Sequence, residues 1–151
     1  MARFIRTKPC PIVTDGYRAY RPHVRTDFEL RCAYCLVEEL YCGGEENYEL
    51  DHFRPRSRFP ELRHDFYNLY YACHVCNRIK HDKWPSKPLE KKGKGFVDLC
   101  EADFETHFRE RPDGYWEGLT EPGRYTIKAL RLNRAGLVEL RTLLKRLCAL
   151  R

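Results

Sequence analysis

The sequence has no apolar run approaching the roughly 18 residues that a membrane-spanning helix needs. Its opening, MARFIRTKPCPIV, lacks the continuous apolar stretch and small-residue cleavage site of a secretory signal. These two absences lead to the expectation of a cytoplasmic protein with no membrane contact. No internal repeat or long low-complexity segment is present. Charge is unevenly spread along the chain. From Pro122 to Arg151 there is one acid against eight Lys and Arg, whereas the preceding 121 residues hold 21 acids and 20 bases. The net charge of +6 therefore sits at the C-terminal end and points to a polyanionic partner.

What the chain does have is apolar substance and thiols. With 42% hydrophobic and 13% aromatic residues in 151, it can bury a real core as one domain, or as a small domain with an appendage. It carries eight cysteines. In a reducing compartment such a number argues for metal ligation or buried thiols over disulfides.

Four of the eight fall into two couples, Cys32-x-x-Cys35 and Cys73-x-x-Cys76. Each tight turn presents two thiolates, and two turns complete a tetrahedron, so the pattern predicts a structural Zn²⁺ site. A c-type haem site would need histidine after the second cysteine, where Asn77 stands. A thioredoxin-like dithiol would need a βαβ setting, and the surroundings are too loop-rich for one. His74 lies inside the second couple, but four cysteines already saturate zinc, so it reads as a surface or packing residue. Cys10, Cys42, Cys100 and Cys148 have no paired spacing and read as free thiols.

Thirty-seven residues, 36 to 72, separate the couples, against the 15–20 or so of a simple zinc ribbon. The extra length includes YELDHFRPRSRFPEL and DFYNLYYAC. In a strand-like YELDHF, the adjacent Asp51 and His52 point to opposite sides, so that one could serve a metal while the other faces a water. Asn68 opens the aromatic strand leading to the second couple. Arg54, Arg56 and Arg58 alternate after His52, as a loop cradling a phosphodiester or simply as a solvated basic loop. Lys80, three residues after Asn77, is a candidate phosphate contact. His81, four after Asn77, would share its helix face and could assist, or simply be exposed.

Further on, PSKPLEKKGKG reads as a linker or exposed loop. GFVDLC and GRYTIKALRL look strand-like. Leu137, Leu140, Leu144 and Leu147 recur with helical spacing, with Asn133 as the expected N-cap. Arg134, Arg141 and Lys145 lie on another face of that helix, either solvated or contacting phosphate.

LDH, then YNL, then CHVCNRIK, framed by the two cysteine couples, resembles the HNH nuclease family, also called the ββα-metal fold, in its zinc-knuckle form. The resemblance covers about residues 31 to 84. It implies an α+β protein with a small ββα-metal core at 31–85, preceded by an N-terminal segment at 1–30. A linker or exposed loop at 86–95 and a C-terminal strand and helix extension at 96–151 follow, the latter ending in a basic amphipathic helix. By the same resemblance His52 is the general base that activates water and Asp51 a carboxylate ligand of a catalytic ion. Asn68 would hold the loop and the histidine, and Asn77 would be the second ligand where the family often has histidine. An oxygen-only donor pair suits Mg²⁺ or Mn²⁺.

The implied activity is metal-dependent DNA endonuclease cleavage, on double-stranded DNA, leaving a 5′-phosphate. Two other functions are consistent with the residues: a non-catalytic zinc-stabilised nucleic-acid-binding module, and a nuclease subunit active only with a partner ATPase. The pattern DHFRPRSRF with NLYYACHVCNRIKHDKWP and GLTEPGRYTIKALRLN also resembles bacterial HNH proteins of phage defence, which are paired with an ATPase. Homodimerisation is a further expectation.

Overall fold

The architecture comes from a computed structural model, which describes residues 3–151. The chain divides into two compact units. One comprises residues 3–84 with 99–101, the other residues 85–98 with 102–151.

The first unit begins with an extended strap pinned through Asp27. The Asp27 carboxylate accepts from the Thr7 amide at 2.9 Å and the Thr7 hydroxyl at 2.5 Å, and pairs with the Arg6 guanidinium at 3.1 Å. Arg6 is itself buried, lying 4.6 Å over the Phe66 ring and donating to the Phe66 carbonyl at 2.8 Å. A single 3₁₀ turn, Tyr17–Tyr20, runs into helix α1, Arg21–Asp27, whose Pro22 fits the first turn, where no intrahelical amide donor is needed.

The first cysteine couple follows as a tight knuckle. The Leu36 amide bonds to the Cys32 carbonyl at 3.0 Å, the Cys32 amide to the Val37 carbonyl at 2.9 Å, and Leu36 takes a left-handed φ of 64° to close it. The Ala33 amide, 2.7 Å from the Tyr71 carbonyl, ties the knuckle to the sheet behind it.

That sheet has two antiparallel strands, β1 Tyr48–His52 and β2 Leu69–Cys73, with Asp51 opposite Tyr70 and His52 opposite Leu69. All five residues of β2 are buried, as an apolar and aromatic run covered on both faces should be. Phe28 packs tilted against Tyr70 and Phe53 stacks on it, with centroids 5.0 and 4.6 Å apart. Helix α2, His74–Lys80, leaves β2 without an intervening residue. The Cys73 sulfur accepts from the Cys76 amide at 3.4 Å and so serves as the N-cap, while Arg78 and Lys80 occupy the last turn, where cations complement the helix dipole.

The second unit consists of α3 (Lys87–Lys91), α4 (Phe104–His107), a hairpin of β3 (Phe108–Glu110) and β4 (Trp116–Gly118), and helices α5 (Glu121–Ala129) and α6 (Ala135–Ala149). The stretch expected to be a linker or loop contains α3. Two expected strands are not formed. GFVDLC is irregular, with the Val97 amide bonded to the Thr126 hydroxyl at 2.8 Å. GRYTIKALRL lies mostly in α5, because Thr120 caps the Gly123 amide at 3.1 Å and Pro122 sets the first turn, which outweighs the strand propensity of Tyr125, Thr126 and Ile127.

Asn133 does not cap α6. Its side-chain amide bonds to both the amide (2.7 Å) and the carbonyl (2.8 Å) of Trp116, and Arg134 precedes the helix instead. Of the basic residues of α6, Arg141 is turned inward, while Lys145 reaches the hairpin from the exposed side. Arg141 is buried 4.1 Å over the Trp116 ring and donates to the Gly114 carbonyl, and Lys145 pairs with Glu110 at 2.9 Å. Both brace the hairpin; Arg141 is closed to a phosphate, whereas the Lys145 side chain stays 41% exposed. Among the described residues no helix is long and apolar enough to cross a membrane.

Candidate metal centre and adjoining cleft

The two knuckles bring Cys32, Cys35, Cys73 and Cys76 together with all four sulfurs within 4.8 Å of one another, each residue buried. A tetrahedral zinc with Zn–S bonds of about 2.3 Å requires sulfurs about 3.8 Å apart, and Cys35 and Cys73 lie at 3.9 Å. Burial pushes the Cys32 thiol up, and hydrogen bonds from the Cys32, Cys35 and Cys76 thiols pull Cys73 down. The four residues fit a structural zinc. The remaining cysteines form no disulfide.

Strand β1 leads away from this centre and presents Asp51 and His52 to opposite sides, as alternation along a strand requires. His52 packs edge-on against Tyr17, with ring centroids 4.8 Å apart, and its Nε2 lies 2.9 Å from the Arg63 carbonyl. A carbonyl oxygen only accepts, so Nε2 carries the hydrogen. In the neutral ring Nδ1 is then the free lone pair. Burial lowers the imidazole below its ordinary range, which keeps it neutral near pH 7.

Asn68 ends the 3₁₀ turn Phe66–Asn68 just before β2. Its Oδ1 accepts from the Arg54 amide at 2.9 Å, and its Nδ2 donates to the Arg54 carbonyl at 3.1 Å and the Leu62 carbonyl at 3.4 Å. It therefore ties down the loop that runs from the end of β1 past Arg63.

Asp51 is buried. Its Oδ2 accepts from the Tyr34 hydroxyl and pairs with Lys80 Nζ at 3.0 Å. Burial raises the Asp51 carboxyl and Lys80 opposes that rise. Lys80 is fully buried and also donates to the His52 carbonyl at 2.9 Å, so it is not a phosphate contact. The reason is spacing: His74, Asn77 and Lys80 step along one face of α2 and meet β1 in turn.

The Asn77 Nδ2 donates to Glu49 Oε2 at 2.5 Å, and His74 lies 3.2 Å from the other Glu49 oxygen. A carboxylate only accepts, so the Asn77 amide nitrogen is committed and its Oδ1 is turned elsewhere. Glu49 was not singled out from sequence, although its position two residues before Asp51 puts both on one face of the strand. The expectation for His81 fails in part. The helix ends at Lys80, and His81 adopts a φ of 47°, is exposed and bonds to Asp82 at 2.8 Å, so it shares no helix face with Asn77.

Asp51, His52, Asn77, Arg56, Arg78 and His81 nonetheless line one open cleft of about 380 Å³, with Tyr17 at its wall. Arg54 is outside that lining, its guanidinium stacked over Phe59 and Trp84 at 5.5 and 5.3 Å. Arg58 donates to the Trp84 carbonyl at 3.2 Å. Among the described residues the four cysteines are the only group of three or more His, Cys, Asp or Glu gathered closely enough to hold an ion. Asp51 and Asn77 offer the cleft a carboxylate and an amide oxygen, a pair that suits a small hard cation which keeps several of its waters.

Residues 32–83 match the family model described as HNH endonuclease, so the segment that carries both knuckles, β1, β2 and α2 is an HNH endonuclease domain. No curated protein matches the chain.

Proposed function

We propose that the HNH endonuclease domain of this chain hydrolyses phosphodiester bonds of double-stranded DNA with the help of one divalent cation, Mg²⁺ or Mn²⁺. The observation that carries the reading is the state of His52: a neutral imidazole whose Nε2–H is committed to the Arg63 carbonyl, with Nδ1 left as a base beside a cleft. His52 takes a proton at Nδ1 from the attacking water, help typically worth about 10²–10⁴-fold. Asp51, through the oxygen not used by Lys80 and Tyr34, and Asn77, through its amide oxygen, would hold the cation. When bound, that cation would neutralise the phosphoryl group and stabilise the leaving oxygen.

The remaining residues set positions. Asn68 keeps the loop beyond β1 in place, and with it the Arg63 carbonyl that fixes the His52 tautomer. Glu49 fixes which way the Asn77 amide faces. Arg56 and Arg78 supply positive charge at the cleft for phosphate. The zinc centre joins β2 to α2 and so sets Asn77 against β1.

Plasmid DNA incubated with the zinc-loaded protein and Mg²⁺ or Mn²⁺ should be nicked or cut. His52→Ala should lower the rate by about 10²-fold or more with zinc content unchanged. The wild-type rate should rise with pH through a midpoint below the ordinary imidazole value of about 6.5 and then level off, since the base must be unprotonated. A His52→Ala protein that cuts as fast as wild type overturns the assignment.

A further inference from the structure

A second cleft, about 360 Å³, adjoins the first and shares Tyr17, Leu50 and Asn77 with it. Its own contributions are Arg18, Arg21 and Glu49. Tyr17, Arg18 and Arg21 precede the segment matched by the family model, so part of this cleft is built by chain that the match does not describe.

The guanidinium of Arg18 is exposed, rests over the Tyr17 ring at 5.2 Å and has no carboxylate partner among the described residues. Arg56 and Arg78, on the first cleft, have none either; Arg56 reaches only the Tyr17 hydroxyl, at 3.5 Å. Other arginines do pair with a carboxylate, among them Arg6, Arg25, Arg31, Arg109, Arg111 and Arg124. Arg21 donates to the Tyr48 and Glu45 carbonyls, which holds its charge at the cleft wall. The one carboxylate of the cleft, Glu49, already accepts from Asn77 and is bonded to His74. A guanidinium stacked on an aromatic face and lacking a carboxylate is pre-arranged for a bidentate anion.

We propose that this second cleft is a phosphate subsite for the DNA backbone next to the bond being cut, with Arg18 as its principal contact and Tyr17 as the ridge between the two clefts. The inference rests on the nuclease reading above and extends it to the substrate: one strand passes over Tyr17, its scissile phosphate beside His52 and a flanking phosphate at Arg18. Residues of the 3₁₀ turn before α1 thereby belong to the substrate-binding surface.

The test is DNA binding by the His52→Ala protein, zinc-loaded and free of Mg²⁺, measured by fluorescence anisotropy with a labelled duplex between 50 and 200 mM salt. Each phosphate neutralised contributes about 0.9 to the slope of log affinity against log salt. Adding Arg18→Ala should weaken binding and flatten the slope by about 0.9, which amounts to about 3.5-fold less salt sensitivity over that range. Arg18→Lys should restore most of the slope, and Arg109→Ala, at an exposed pair with Glu117, should leave it unchanged. An unchanged slope in Arg18→Ala, or no binding of the duplex by the parent protein, overturns the subsite. Plasmid cutting by wild type separates the two readings. If wild type cuts while Arg18→Ala keeps its slope, only the subsite fails. If wild type never cuts but the slope falls as expected, the subsite stands and the nuclease reading fails.

Discussion

Lys80→Met would remove one positive charge from the interior of the first unit while leaving most of the side-chain volume. The Lys80 side chain is 0% exposed and that of Asp51 6%, and the two are 3.0 Å apart. After the substitution Asp51 keeps only the Tyr34 hydroxyl on Oδ2, and the His52 carbonyl loses the Lys80 donor. Removing one partner of such a buried pair costs about 3–5 kcal/mol, because the other is left buried and charged. Against a domain stability of about 5–15 kcal/mol that is a large fraction.

The deficit should depend on pH, and its sign follows from Asp51. Burial already raises that carboxyl above its unfolded value, and Lys80 is the main influence holding it down, so the variant's folded state keeps a proton that the unfolded chain has released. Stability then falls as pH rises above the unfolded carboxylate range, and continues to fall up to the folded value. The difference between wild type and Lys80→Met should be smallest at the acid end and widen toward neutrality. Urea unfolding of wild type, Lys80→Met, Asp51→Asn and the double variant, at a series of pH values in chelator-free buffer, measures it. The zinc cysteines titrate in all four proteins, so the differences isolate the pair. The double variant, with neither charge left alone, should recover much of the loss. A loss below about 1 kcal/mol at neutral pH, or one equal at every pH, or strict additivity in the double variant, would refute the reasoning.

Asn68→Ala removes all three of its bonds to the loop main chain. It should cost about 1–3 kcal/mol, speed hydrogen exchange at the Arg54 amide and slow plasmid cutting with zinc retained. A strong chelator should take the metal from the four cysteines and melt the far-ultraviolet signal of the first unit, since binding at such a site is worth about 10 kcal/mol or more of folding free energy. A circular dichroism spectrum that persists after the zinc is removed would count against a structural metal.

How much of this can be read from the chain depends on the range of each interaction. The cysteine couples are legible because a two-residue spacing is local chemistry, and so is the opposed facing of Asp51 and His52, which needs only an extended backbone. Lys80 is not legible. Most lysines lie in solvent, and only the docking of α2 on β1 reveals that this one sits against Asp51. Glu49 was within reach of the strand alternation, but nothing local pairs it with Asn77, 28 positions away. The strap pinned by Asp27 rests on bonds across 20 and 21 positions, which composition cannot signal. At GRYTIKALRL the cue was present in Thr120 and Pro122 and was outweighed by β-branched and aromatic residues. Asn133 is a fair cap by type, and a tertiary partner, the Trp116 backbone, claims it.

Every bond made by the Asn68 side chain ends on a main-chain atom, of Arg54 or of Leu62. The anchor is therefore indifferent to which side chains the loop carries. Arg54, Arg56 and Arg58 can be exchanged, by drift or by a library of variants, without releasing the backbone that holds the Arg63 carbonyl against His52. A loop whose side chains vary on a fixed backbone frame can change what it meets at the surface while the setting of His52 stays as it is.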